Sequence, residues 1–126
     1  MNAGSVHIVG TITESILENS FTLAQQTQTD EVALDIAAWL LMPGLAGEQV
    51  SLAVSYNVNG ERREILIDQG EVDSTHRILL ASVAQLPMAN RLKNANVVLH
   101  GPAMPRGMIV ESLYVKPLGL TLTSFA

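Results

Sequence analysis

The feature that most constrains this fold is a strict two-residue alternation in residues 50–58, followed by Asn59-Gly60. Alternating large apolar side chains are typical of a half-buried β-strand. Asn-Gly best fits the positive φ angles of a type I′ turn, so the sequence predicts a hairpin here. A two-residue loop gives four cross-strand pairs whose apolar members share one face: Val58 with Glu61, Tyr56 with Arg63, Val54 with Ile65 and Leu52 with Ile67.

Shorter alternating runs lie on both sides of this hairpin and are separated by turn residues. They cover residues 6–12, 78–83, 97–99, 109–115 and 118–122. In the fourth run Ile109, Leu113 and Val115 share one phase, which Glu111 interrupts. Seven to nine short strands at such spacing predict an antiparallel β-sandwich, formed by residues 1–126 as one domain.

Residues 31–42 fit two kinds of secondary structure. They are rich in Ala and Leu, follow Asp30 as a helix cap and stop at Pro43-Gly44, all of which are helix signals. Their apolar residues also alternate with period two, which indicates a strand. The surrounding pattern consists of strands, so a strand is the prediction.

Charge and composition exclude several classes of protein. The net charge is −5, and residues 1–60 contain six carboxylates without one Lys or Arg. A nucleic-acid-binding surface needs clustered Lys and Arg, and only Arg62-Arg63 is adjacent, so we expect no nucleic-acid partner. The longest apolar run, residues 36–42, is far shorter than the roughly 20 residues of a membrane span. Residues 1–4 lack the basic and apolar regions of a signal peptide.

No local motif of a common catalytic site is present. The sequence contains no P-loop, dinucleotide-binding fingerprint, nucleophile elbow or HExxH, and it has no cysteine. His7, His76 and His100 show no metal-ligand spacing. The grouped carboxylates of residues 30–31 and 64–71 fall at predicted strand ends and turns, where acids are ordinarily solvated. We therefore expect a non-catalytic protein.

Trp39, the only tryptophan, is the strongest candidate for contact with a ligand. In the strand interpretation it shares a face with Asp35, opposite the more apolar face. An indole on a polar face can stack on a ligand, although a sandwich can also bury its one tryptophan. Tyr114 shares its phase with Ser112 and Lys116, which predicts a second polar face.

The order of these segments resembles that of a known family. Residues 21–27 (FTLAQQT) resemble its glutamine-containing strand before the ligand-facing sheet, and residues 34–40 (LDIAAWL) resemble the following strand, with its Ala-Trp step. Residues 50–56 and 72–87 resemble its middle strands. Residues 97–102 and 108–115 resemble its closing pair. Together, from Phe21 to Pro117, they resemble the β-jelly-roll carbohydrate-binding modules of the galactose-binding-like superfamily.

The resemblance implies a jelly-roll-like sandwich of about eight strands that binds a glycan on one sheet face. Trp39 and Tyr114 would stack on sugar rings, and Gln26 and Asp35 would hydrogen-bond to hydroxyl groups. Glu111 matches the family's closing Asp, which implies a structural calcium ion. The residues alone also fit a second class, a structural or protein-interaction sandwich such as a homo-oligomeric assembly domain. The charged fraction of 15% is low for a lone surface and favours this alternative.

Overall fold

The computed structural model describes residues 5–26, 31–87 and 92–118. Every strand pairing in it is antiparallel, within one sheet of strand order β1-β6-β3-β4 and a second of order β5-β2-β7. The predicted antiparallel β-sandwich is confirmed, and the described residues form seven strands and one helix. In chain order these are β1 (Ser5–Thr11), α1 (Glu14–Gln26), β2 (Glu31–Leu41), β3 (Gln49–Val58), β4 (Glu61–Glu71), β5 (Arg77–Pro87), β6 (Lys93–Gly101) and β7 (Ile109–Leu118).

The hydrophobic core lies between the two sheets. Leu34 and Ile36 of β2 point inward and belong to one buried cluster with Leu52 of β3 and Leu99 of β6. Burial of each such side chain contributes about 1.5–3 kcal/mol. Because successive strand residues point to opposite faces, the same alternation directs the remaining residues of each strand outward.

The predicted hairpin is confirmed, with one change of register. Asn59 and Gly60 have φ angles of 54° and 77°, and the three pairs nearest the turn are those predicted. The register then shifts between Leu52 and Ala53, so Leu52 lies opposite Asp68 and the predicted Leu52–Ile67 pair is wrong. The bulge brings Asp68 to the edge of β5, where its Oδ2 accepts a hydrogen bond from the Ala81 N–H at 2.8 Å.

The strand prediction for residues 31–42 is confirmed by β2. This strand is central in its sheet and pairs along its length with β5 and β7. Those partners satisfy its backbone donors and acceptors, and its alternate apolar residues enter the core. Tertiary pairing therefore outweighs the Ala- and Leu-rich composition that favours a helix.

The assignment of residues 21–27 to a strand is wrong, because residues 21–26 form the second half of α1. Thr13 caps the helix: its Oγ1 accepts a hydrogen bond from the Ile16 N–H at 3.3 Å. Leu17, Phe21 and Ala24 lie on one helical face and are buried in the core. The helix packs against β2 and β7. No helix in the described part of the chain is long and apolar enough to cross a membrane.

A second bulge, in β7, changes which face Ile109 occupies. Trp39 of β2 pairs with Ser112, whereas the next residue, Leu40, pairs with Val110, so Glu111 is the additional residue. The bulge inverts the phase, and Ile109 points outward while Leu113 and Val115 pack against the core. The predicted shared face of Ile109 with those two residues is therefore wrong. Of the separate run predicted at residues 118–122, only the first residue lies within the described part of the chain.

Candidate functional site

The outward side of the three-stranded sheet carries most of the predicted site residues. We call it the outer β5–β2–β7 face. It contains five of the exposed large apolar side chains, with exposed fractions between 43% and 54%. Around residues 35–41 of β2, its members by strand alternation and pairing are Arg77, Leu79, Ala81 and Val83 of β5, Asp35, Ala37, Trp39 and Leu41 of β2, and Ile109, Glu111, Ser112, Tyr114 and Lys116 of β7.

Trp39 and Tyr114 form an aromatic surface at the centre of this face. Trp39 pairs with Ser112, and Tyr114 pairs with Ala37, so the two aromatic residues are diagonal neighbours on adjacent strands. Such neighbours lie roughly 7–8 Å apart. Both side chains are nearly half exposed, and the small residue Ala37 lies next to both of them on this face. The structure therefore brings these two predicted residues together.

Asp35 lies on the same face, two pleats along β2 from Trp39. Four residues of strand separate them by about 13 Å. Asp35 pairs with Lys116 of β7, and Lys116 follows Tyr114 on the same side of that strand. An ionised carboxylate accepts hydrogen bonds and an ammonium group donates them. One end of the aromatic surface therefore has both a hydrogen-bond acceptor and a donor.

Gln26, the fourth predicted ligand residue, lies on α1 and not on the sheet. It lines an open groove of about 310 Å³ between α1 and the end of β7. Lys116 also lines this groove, so Lys116 connects Gln26 with the sheet face. The side chains around the groove supply amide, hydroxyl, ammonium and apolar groups: Asn19, Thr22, Leu23, Gln26, Lys116 and Pro117.

Glu111, the predicted calcium ligand, forms an ion pair with Arg77 at the other end of the face. The Arg77 guanidinium donates from Nε to Oε1 at 3.0 Å and from Nη2 to Oε2 at 3.2 Å. This hydrogen bonding to Glu111 raises the pKa of Arg77. A calcium ion at Glu111 would have to displace Arg77. No group of three or more His, Cys, Asp or Glu side chains suited to a metal ion occurs in the described ranges, and the calcium site stays a prediction.

The turn before β5 is held by Asp73, and it fixes the backbone position of Arg77, the first residue of β5. Oδ1 of Asp73 accepts hydrogen bonds from Thr75 Oγ1 at 2.6 Å and from the Arg77 N–H at 3.0 Å. The Thr75 hydroxyl is the main cause of a lowered pKa of Asp73, because both bonds favour the ionised carboxylate. This turn therefore positions Arg77, which forms the ion pair with Glu111.

Three features of the site were not predicted from the sequence. The role of Lys116 in joining the face to the groove depends on the packing of α1 against β7. The outward position of Leu79 and Val83 could have been predicted, because both residues alternate with the inward residues of their own strand. Ile109 reaches the outer face only through the bulge at Glu111, and the break in the β7 pattern was its one signal.

Comparisons with protein-family models, with curated proteins and with solved structures gave no match. The face and the groove are therefore interpreted from their own chemistry.

Proposed function

We propose that this protein is a non-catalytic carbohydrate-binding module that holds a glycan along the outer β5–β2–β7 face. The observation that carries the proposal is the diagonal pair of exposed aromatic side chains, Trp39 and Tyr114, on adjacent strands of one sheet. Indole and phenol rings combine a large apolar surface with a polar group. They can therefore cover the C–H face of a sugar ring while its hydroxyl groups reach polar neighbours.

The polar groups next to this pair supply the hydrogen bonds that orient a sugar. Asp35 accepts from hydroxyl groups, and Lys116 donates to hydroxyl or ring oxygens. Beyond Lys116, Gln26 and Asn19 in the groove offer amide groups that do both. A glycan that runs from Trp39 over Tyr114 and Lys116 toward Gln26 would meet all four predicted ligand residues, because Lys116 pairs with Asp35 and lines the same groove as Gln26.

We propose binding without catalysis because the surface along the glycan path lacks a suitable pair of carboxylates. Glycoside hydrolysis ordinarily uses two carboxyl groups about 5–9.5 Å apart. On the outer β5–β2–β7 face the nearest described partner for Asp35 on an adjacent strand is Glu111, more than about 13 Å away along the sheet. Glu111 is also engaged by Arg77. Binding requires neither group to react.

Replacing Tyr114 tests the stacking surface. We expect the wild-type chain to bind at least one glycan of an immobilised panel, and Tyr114→Ala to weaken that binding by about tenfold, or about 1.4 kcal/mol. Tyr114→Phe is the matched variant, because it keeps the ring and removes only the hydroxyl group. Binding affinities of the three proteins are compared by isothermal titration calorimetry with the retained glycan. Equal affinity of Tyr114→Ala and wild type would exclude Tyr114 from the site, and no binding to any glycan would contradict the function.

A further inference from the structure

The glycan path leaves part of the outer β5–β2–β7 face unexplained. Leu79 and Val83 of β5 and Ile109 of β7 are about half exposed and offer no polar group to a sugar. They flank the aromatic pair, with the small residues Ala37 and Ala81 between. A contiguous set of exposed aliphatic and aromatic side chains, bounded by polar residues, marks a surface that contacts another protein.

We propose that a second copy of this chain covers this face and forms a two-fold dimer. The charges support this partner over an acidic or basic one. Strand β2 and the residues paired with it include three acids, Glu31, Asp35 and Glu111, and two bases, Arg77 and Lys116. The net charge of this sheet is therefore only −1, although the chain carries a net charge of −5. Two copies can therefore meet here with less repulsion than their net charges impose elsewhere.

The size of the face predicts a weak dimer. Three strands of about ten residues present a surface of roughly 33 Å by 15 Å, or about 500 Å² per copy. Two copies would bury about 1,000 Å², which is near the lower limit for a specific interface. A two-fold contact uses the same residues from both partners, so each copy contributes the same aliphatic side chains to the interface. The dimer is expected to form and dissociate with protein concentration.

The dimer and the glycan occupy overlapping surfaces. Trp39 on the central strand β2 lies between the aliphatic residues of β5 and Ile109 of β7, and Tyr114 is its diagonal neighbour on β7, so a second copy that covers this face also covers the aromatic pair. A ligand that binds only the monomer lowers the dimer population by mass action. Self-association would therefore close the site until a glycan competes for it. Dimer formation itself does not depend on glycan binding.

Sedimentation velocity of the full chain tests the dimer. From about 1 µM to about 1 mM, the range expected for a weak interface, the mass should rise reversibly from 13.5 kDa toward twice that value. Val83→Asp places a charge in the contact and should weaken dimerisation by at least about tenfold. Leu79→Asp is a second variant at the same surface. Leu66→Asp is the matched control, because Leu66 is 56% exposed on the other sheet.

The outcomes separate this proposal from the proposed function. A monomer at every concentration, or a dimer that Leu66→Asp weakens as much as Val83→Asp and Leu79→Asp do, would overturn the dimer. Circular dichroism confirms that each variant is folded. Failure to bind glycans would leave the mass measurement unaffected, and a wild-type monomer that binds glycans would leave the proposed function standing. Quenching of Trp39 fluorescence by acrylamide should decrease as the wild-type dimer forms, and constant quenching would contradict coverage of this face.

Discussion

Trp39→Ala is expected to weaken glycan binding strongly while the protein stays folded. The indole is the larger of the two exposed rings, and it lies on the outer β5–β2–β7 face, away from the core. Removing it takes away most of the apolar surface that a sugar ring would cover. We expect a loss of at least about tenfold in affinity, or about 1.4 kcal/mol, by isothermal titration calorimetry.

Two controls define this result. Trp39→Phe keeps a smaller aromatic ring and should retain part of the affinity. Leu66→Ala removes an exposed apolar side chain from the opposite sheet and should leave glycan binding unchanged. Wild-type affinity in Trp39→Ala would place the glycan elsewhere on the protein.

Leu34→Ala is expected to produce the largest loss of stability. Leu34 is fully buried between the two sheets, within the central strand of the smaller one. Truncation removes buried apolar contacts and leaves a cavity that the paired strands cannot readily collapse. The free energy of unfolding should fall by about 2–5 kcal/mol, measured by urea denaturation followed by circular dichroism.

Leu66→Ala is the matched control for Leu34→Ala, because it makes the same chemical change at an exposed position. Its effect on the free energy of unfolding should stay within about 0.5 kcal/mol. Similar losses in both variants would mean that the core does not lie between the sheets as described.

Local patterns in the sequence were sufficient to predict the strands. The hairpin of β3 and β4 follows from its alternation and from two turn residues that both adopt positive φ angles. The inward and outward faces of β2 follow from period two once the segment is taken as a strand. These features depend on residues close together in the chain, which a sequence shows directly.

Helix α1 and the bulges near Leu52 and at Glu111 were missed for different physical reasons. The helix has its own signals, a Thr13 cap and buried residues at three- and four-residue spacing, but the family resemblance assigned residues 21–27 to a strand. A bulge depends on the partner strand, so alternation within one strand does not locate it. The shift near Leu52 gave no signal in β3, whereas Glu111 interrupted the pattern of β7.

The candidate site shows the same division between local and non-local information. Period two placed Trp39 with Asp35, and separately placed Tyr114 with Ser112 and Lys116. That these two sets share one face depends on the pairing of β2 with β7, which are far apart in the chain. The groove that contains Gln26 requires the packing of α1 against β7, and no local pattern encodes that contact.

The intrinsic fluorescence of Trp39 tests the central claim most directly. The chain has one tryptophan, so any change in its emission reports on the outer β5–β2–β7 face. Titration with soluble polysaccharides and oligosaccharides should give a saturable spectral shift with at least one glycan, at a protein concentration where sedimentation shows the monomer. A shift that saturates, and that needs about tenfold more glycan to saturate in Tyr114→Ala, would support a glycan site at the aromatic pair. An unchanged spectrum with a glycan that calorimetry shows to be bound, or no binding across the panel, would contradict it.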